Sequence, residues 1–285
     1  MKILSLQSWV ADGHVGNAAA LFPLQRLGAE VAAIHTVQFS NHPGHGAYTG
    51  RVFPAADTAA LVRGLAAHGT LGQCDAVLSG YIGDAAVGET ILEAANQVRL
   101  LNPTGLWCCD PVMGDHGRLY VRPGVPEFFA KQAVAAADIL TPNQFELTTL
   151  TALPCTTLAE ARMAATRLRA AMRADGPRLV LLSSLATEET PAGSAEMLLA
   201  CDAGLFRIRT EELPRAFSGA GDLLAALFLF HVLAAENAPE AGLRAARNLA
   251  GILFHTWQTG AAELAIVAAQ DELLNPTRTA ELLPC

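Results

Sequence analysis

Lysine is nearly missing from this chain: of its 285 residues only Lys2 and Lys131 are lysines, and neither follows a glycine. A P-loop needs Gly-Lys-Ser/Thr, so that device is excluded, and any phosphate chemistry must rest on backbone amides, arginines and metal. Charge as a whole is sparse. Charged residues make up 16% of the chain and the net charge is −8, with a pI near 5.5. Clustered Lys and Arg for a nucleic acid or an anionic membrane are lacking, and neither partner is expected. No pair among Cys74, Cys108, Cys109, Cys155, Cys201 and Cys285 has C-x-x-C or zinc-finger spacing. Several of the six lie in apolar, strand-like runs, which predicts reduced, buried thiols. No apolar run reaches the roughly 18 residues that span a bilayer. Met1-Lys2 leads straight into Ile3-Leu4-Ser5-Leu6, too short for the apolar centre of a secretory leader, so a cytoplasmic protein is expected. Ser8 has no G-x-S-x-G surroundings, which argues against a hydrolase nucleophile. Gly219-Ala220-Gly221-Asp222-Leu223-Leu224 lacks the third glycine of a dinucleotide fingerprint and lies far from the first strand, which argues against NAD.

What is present is apolar and rhythmic. Hydrophobic residues make up 52%, enough for a sizeable core. Periodicity and turn residues predict strands at 2–7, 30–37, 76–79, 106–109, 138–141 and 178–183. Helices are expected at 17–27, 57–68, 85–99, 124–134, from near Asn143, and at 157–172. Glu196–Ala200 and Gly204–Arg209, joined by Asp202-Ala203, read as a hairpin at a sheet edge, and two apolar helices follow at about 222–235 and 239–258. This alternation implies an α/β fold, a mainly parallel sheet covered by helices on both faces. With no linker-like stretch or repeat, one domain over 1–285 is expected.

The chemistry concentrates at Ser218-Gly219-Ala220-Gly221-Asp222, immediately before an apolar run. First-turn N–H groups of a helix lack partners and the helix dipole adds positive charge, so Gly219, Ala220 and Gly221 would form an anion hole. An anion site has no use for Asp222, which suits a general base taking a proton from an attacking hydroxyl. The same pattern also fits a plain capped helix behind a glycine turn. Asp110, just past a strand, and Glu146, in Asn143-Gln144-Phe145-Glu146, are hard oxygen ligands suited to Mg²⁺, directly or through water; read singly, they are an N-cap and a solvated helix residue. His14, His42 and His45 match no zinc spacing and are expected to bond loop backbone or substrate. Tyr81, at a strand end, suits stacking on a flat ligand or a lid over the core.

The Gly219-Ala220-Gly221-Asp222 turn resembles the G-x-G-D signature of the ribokinase-like superfamily. Together with Ser8, Gly13-His14-Val15-Gly16-Asn17, Thr36–His42, Ser79-Gly80-Tyr81, Cys109–Gly114 and Thr141-Pro142-Asn143-x-x-Glu146, it resembles the pyridoxal kinase family over nearly the whole chain. The resemblance implies a three-layer ribokinase-like fold and ATP-dependent phosphorylation of the 5′-hydroxyl of pyridoxal, and often of pyridoxamine or pyridoxine. It also implies Mg²⁺, ATP as co-substrate and a homodimer, and leaves open whether a monovalent cation is needed. On it, Ser8, His42, Pro43, Gly44, His45 and Tyr81 would meet the vitamer, with Asp222 as base. Asp110, Thr141, Asn143, Glu146, Ser183, Arg207, Ile208, Arg209 and Thr210 would border the nucleotide, and the loop Gly114–Tyr120 would cover the phosphates.

Two loops depart from the family. Asp12 stands where a Tyr is usual, and Asn41-His42-Pro43-Gly44-His45 replaces Asn-His-Thr-x-Tyr. Pro43 removes a hydroxyl and an N–H from the ring side, while His45 supplies another flat ring. Two rival readings stand beside the first: a ribokinase-like kinase of another hydroxymethyl heterocycle, such as the thiamine pyrimidine precursor, and a catalytically silent B6-binding or regulatory protein.

Overall fold

A computed structural model describes residues 1–234 and 237–285. The first half keeps the βα rhythm: β1 (Lys2–Val10), α1 (Asn17–Arg26), β2 (Glu30–Phe39), β3 (Gly50–Val52), α2 (Ala55–Ala67), β4 (Ala76–Ser79), α3 (Ala85–Leu101) and β5 (Leu106–Cys109). A small separate hairpin, β6 (Gly114–Asp115) and β7 (Arg118–Leu119), leads into α4 (Val125–Phe128), a π-helical turn over Phe129–Ala133, and α5 (Val134–Ala136). The rest is β8 (Ile139–Leu140), α6 (Gln144–Thr151), α7 (Leu158–Ala171), β9 (Leu179–Leu185), β10 (Ser194–Cys201), β11 (Gly204–Glu211), α8 (Ala220–Leu233), α9 (Ala238–Thr259) and β12 (Glu281–Pro284).

Ten strands form one sheet in the order β12-β11-β10-β9-β8-β5-β4-β1-β2-β3. From β9 to β2 the pairing is parallel; β10, β11 and β12 at one end and β3 at the other are antiparallel. Helices α2, α3, α4, α6 and α7 cover one face around Val62, Ile91, Phe128, Leu147 and Leu168. Helices α1, α8 and α9 cover the other around Leu24, Leu227 and Ile252. Burial of Leu223 to Leu229 without a break makes α8 apolar around its whole circumference, as expected of a helix wrapped by sheet and neighbouring helices. Its N-terminus is thereby anchored at the sheet edge where the parallel strands end, the edge at which open α/β sheets bind ligands.

Several boundaries differ from the expected ones. The β10–β11 hairpin is not at the sheet edge, because β12 pairs with β11 and sets Leu282 beside the buried Ile208. Four residues carry too little periodicity to mark such a strand. Strand β1 runs on to Val10 past a register shift between Gln7 and Trp9, and β2 runs to Phe39. Helix α8 begins at Ala220, so Asp222 is its third residue; the expected end at Ala235 lies outside the described residues. All six cysteines are free, five of them buried.

One buried ion cluster ties the layers together. Asp138, fully buried ahead of β8, accepts from Arg99 Nη2 at 2.6 Å, Arg173 Nη2 at 2.7 Å and the Trp107 N–H at 2.8 Å. Removing one partner of such a cluster strands the others in a medium that cannot solvate them. Asp138→Ala is expected to lower unfolding free energy by about 3–5 kcal/mol in denaturant titration. A loss under about 1 kcal/mol would mean that the guanidiniums find water.

Candidate active site

The site assembles from the ends of the parallel strands. Asp110 follows β5 and is 5% exposed, and Thr141, which follows β8, donates its hydroxyl to Asp110 Oδ1 at 2.9 Å. Glu146 belongs to a capping box: Asn143 Oδ1 accepts the Glu146 N–H at 2.8 Å while Glu146 Oε2 accepts the Asn143 N–H at 2.8 Å. Its other oxygen accepts the Met113 N–H at 2.9 Å, and Asn143 Nδ2 donates to the Gly114 carbonyl at 2.8 Å. Glu146 is therefore buried rather than solvated, and it clips the loop after β5 onto α6.

Burial pushes the Asp110 carboxyl well above the ordinary range, and Glu146 and Asp222 add like-charge repulsion. Glu146 also rises through burial, against the backbone hydrogen bonds that favour its charged form. Asp222 is pushed up to about 6 by burial, opposed by a hydrogen bond from the Gly16 N–H. The charged groups acting on Asp110 are thus acids, a donor set that fits a hard dication. Among the described residues no three His, Cys, Asp or Glu side chains form a metal cage. The β6–β7 hairpin is tied to the same loop: Tyr120, the exposed residue that follows it, donates its N–H to the Met113 carbonyl at 3.1 Å.

The glycine turn is built by close approach. Gly219 is the N-cap of α8 with φ 83°, and no side chain caps the helix, so Asp222 is not the cap. A Cβ on Gly219 would collide with the His14 carbonyl oxygen, whereas one on Gly221 would meet nothing within 4 Å. Gly16, at φ 55°, lies so close to Ser8 that a Cβ would strike both its hydroxyl and its carbonyl. First loop, Ser8 and Asp222 are therefore one packed unit.

The second loop forms a short turn at Pro43–His45, where His42 Nδ1 accepts the Gly44 N–H at 3.3 Å. Pro43, Gly44 and His45 are exposed, while Tyr81 is half-buried with its carbonyl accepting from Thr36 Oγ1 at 2.6 Å. Ser183 is held to the Pro142 carbonyl through its N–H at 2.9 Å and its hydroxyl at 3.3 Å. On β11, Arg209 binds the buried Glu196 at 2.8 Å and Arg207 reaches the same oxygen at 3.5 Å. Ile208 points the other way, fully buried beneath α9 against Gly242, with its backbone between Met197 of β10 and Leu282 of β12; Thr210 is half-buried.

The family described as phosphomethylpyrimidine kinase matches residues 55–266. The chain is 53% identical to pyridoxal kinase PdxY of Granulibacter bethesdensis over 97% of both chains. It is 48% identical to PdxY of Rubrobacter xylanophilus over 97% of this chain and 94% of that one. The chain belongs to the pyridoxal kinase family. Its fold matches the Leishmania donovani pyridoxal kinase in complex with ADP and pyridoxamine with a TM-score of 0.90, at 30% identity, over 100% of this chain and 99% of that one.

For a pyridoxal kinase, the residues that the sequence left unmarked are Glu196 and Glu263. Glu196 stands at the head of the apolar run Met197–Cys201 with no pattern to mark it, and gains its partners only when β9 and β11 flank it. Glu263 lies 249 residues from His14, whose N–H it accepts at 3.2 Å; no local pattern announces such a contact.

Two predictions follow from the geometry of this kinase's turn. Gly219→Ala is expected to lower the melting temperature and abolish turnover, since a positive φ and a backbone collision cost about 1–3 kcal/mol or more. Gly221→Ala should fold normally and lose activity by putting a methyl in the anion hole; equal melting temperatures for the two variants would contradict this. Asp222 ionises near 3.8 in an ordinary setting and near 6 here. Below the lower value both folded and unfolded states bind the proton, and above the higher value the folded chain carries the full cost of a desolvated charge. Asp222→Asn should therefore stabilise the protein by roughly 1–3 kcal/mol at about pH 8 and lose that advantage near about pH 3.5. Destabilisation at the higher pH would show that the charge is compensated.

Proposed function

We propose that this chain transfers a phosphoryl group from ATP to the 5′-hydroxyl of pyridoxal, and of pyridoxamine or pyridoxine, acting as one ribokinase-like domain over residues 1–285 in a cytoplasmic homodimer. The observation that carries the reading is the junction of Asp222 with the first loop: its carboxyl accepts the Gly16 N–H where Gly16 packs on Ser8. A hydroxymethyl group on a ring lying against Ser8 and Tyr81 would point at this carboxylate. Raised to about 6, Asp222 is ionised at neutral pH and still basic enough to take the hydroxyl proton as the oxygen attacks in line. The amides of Gly219 to Gly221 would hold the moving phosphoryl group where its charge develops. Asp110 and Glu146 would hold Mg²⁺, directly or through water, and when bound the ion would neutralise phosphate charge. Thr141, Asn143, Ser183 and Arg207–Thr210 of β11 would border the nucleotide, with Gly114–Tyr120 above it.

A second reading keeps the chemistry and changes the ring. The match to the phosphomethylpyrimidine kinase family, together with the Pro43 and His45 departures, favours including a hydroxymethyl aminopyrimidine in any substrate panel.

Purified protein should make pyridoxal 5′-phosphate only with both ATP and Mg²⁺, and Asp222→Asn should cut kcat by about 10²–10⁴-fold. Because the base must be ionised, kcat/KM for the vitamer should fall about tenfold per pH unit below the Asp222 value of about 6. Turnover of the variant within about fivefold of the parent would remove Asp222 as the base. Faster phosphorylation of the aminopyrimidine than of any vitamer would select the second reading.

A further inference from the structure

His45, where the second loop departs from the family, sits at a three-way junction. Its Nδ1 is 2.8 Å from Glu263 Oε1, and its Nε2 is 3.4 Å from the hydroxyl of Ser218, the residue that opens the glycine turn. Glu263 Oε2 accepts the His14 N–H at 3.2 Å, and the same carboxyl lies over Gly13, where a Cβ would come within 2.6 Å of it. The His42 ring packs edge-on against His45 at 5.3 Å between centroids. One carboxylate thus touches the first loop, holds the second loop through His45, and reaches the phosphoryl-transfer turn through the same imidazole.

The contacts do not depend on the charge of the ring. A neutral imidazole with its proton on Nδ1 donates to Glu263 and accepts the Ser218 hydroxyl at Nε2; a protonated one donates to both. A tyrosine, usual at this place in the family, has a single polar atom and cannot serve two partners on opposite sides of its ring. Nor is the connection buried beyond reach of the site: His45 and Glu263 side chains are 36% and 25% exposed.

We propose that Glu263 and His45 are positioning residues that couple the vitamer loop to the anion-hole turn, so that seating the ring aligns Ser218–Asp222 for transfer. The inference rests on the kinase reading for its reaction, though not for its linkage. With the loops joined, a ligand that orders the second loop also orders the turn, and the two sites must then favour each other's occupancy reciprocally.

The test uses the full chain with His45→Phe, Glu263→Gln and the double variant. In His45→Phe, kcat/KM for pyridoxal is expected to fall about 10–100-fold, through a higher vitamer KM and a lower kcat, while the affinity for the ATP analogue measured without vitamer stays within about twofold of the parent. The double variant should be no worse than the poorer single one, because both changes interrupt one connection. Independently of turnover, pyridoxal should bind the parent about fivefold or more tightly when a non-hydrolysable ATP analogue is present, and this gain should vanish in each variant. Losses that add in the double variant, an equal loss of ATP-analogue affinity without vitamer, or a linkage that survives in His45→Phe would each overturn the proposal. Parent protein that binds pyridoxal without phosphorylating it would instead defeat the kinase reading, and the linkage would still judge the coupling.

Discussion

The approach of two backbones that carry no side chain between them sets the rest of the site. Gly219 lies against the His14 carbonyl and Gly16 against Ser8, and from this contact the Gly16 N–H reaches the Asp222 carboxyl. A methyl group at Gly219 would separate the loop after β1 from the head of α8, and one at Gly16 would push that loop off Ser8 of β1. The apolar circumference of α8 makes this approach rigid, because a helix buried from Leu223 to Leu229 cannot slide to relieve a collision at its end. Core packing therefore fixes the position of Asp222.

The same contact organises the electrostatics. Asp110 feels both Glu146 and Asp222 in a crevice that water does not fully solvate, and burial raises all three. Left to themselves such groups would neutralise by protonation. Glu146 is restrained by N–H donors from Asn143, Met113 and Gly114, whereas Asp110 has the Thr141 hydroxyl and acidic neighbours. The asymmetry divides their proposed work: Glu146 shapes the loop, and Asp110 is the oxygen with most to gain from a cation.

Much of this was legible before any coordinates. The parallel strands, the helices on both faces and the glycine turn follow from periodicity and punctuation, which are local signals. The three carboxylates stood out because each follows a strand or opens a helix. What escaped was of two kinds. Short edge pieces such as β3 and β12 are set by partners, Val37 with Val52 and Ile208 with Leu282, rather than by their own pattern. Glu196 and Glu263 acquire their meaning from residues far along the chain, Arg209 across a hairpin and His14 at the other end of the sequence. Helical position misled in one respect as well: with α8 starting at Ala220, Asp222 sits inside the first turn and its carboxyl turns to Gly16 instead of capping the helix.

The scarcity of lysine has a structural sequel. Arg207 and Arg209, the cations nearest the expected nucleotide border, are held by the buried Glu196, and Arg209 also reaches Glu281 at 3.8 Å. Guanidiniums engaged in this way have little to offer a triphosphate unless Glu196 releases them, and releasing a buried carboxylate is expensive. On the reading proposed above, the charge of a nucleotide would then be met by helix N–H groups, by a dication at Asp110 and by cations outside β11, such as Arg118 of the covering hairpin. Under the proposed mechanism nucleotide and metal arrive as interdependent ligands: the acids repel a bare triphosphate, and the metal needs its phosphate oxygens to complete its shell. An acidic crevice facing an anion hole is thus consistent with phosphoryl transfer, because the ion between them converts repulsion into selection for the metal-bound nucleotide.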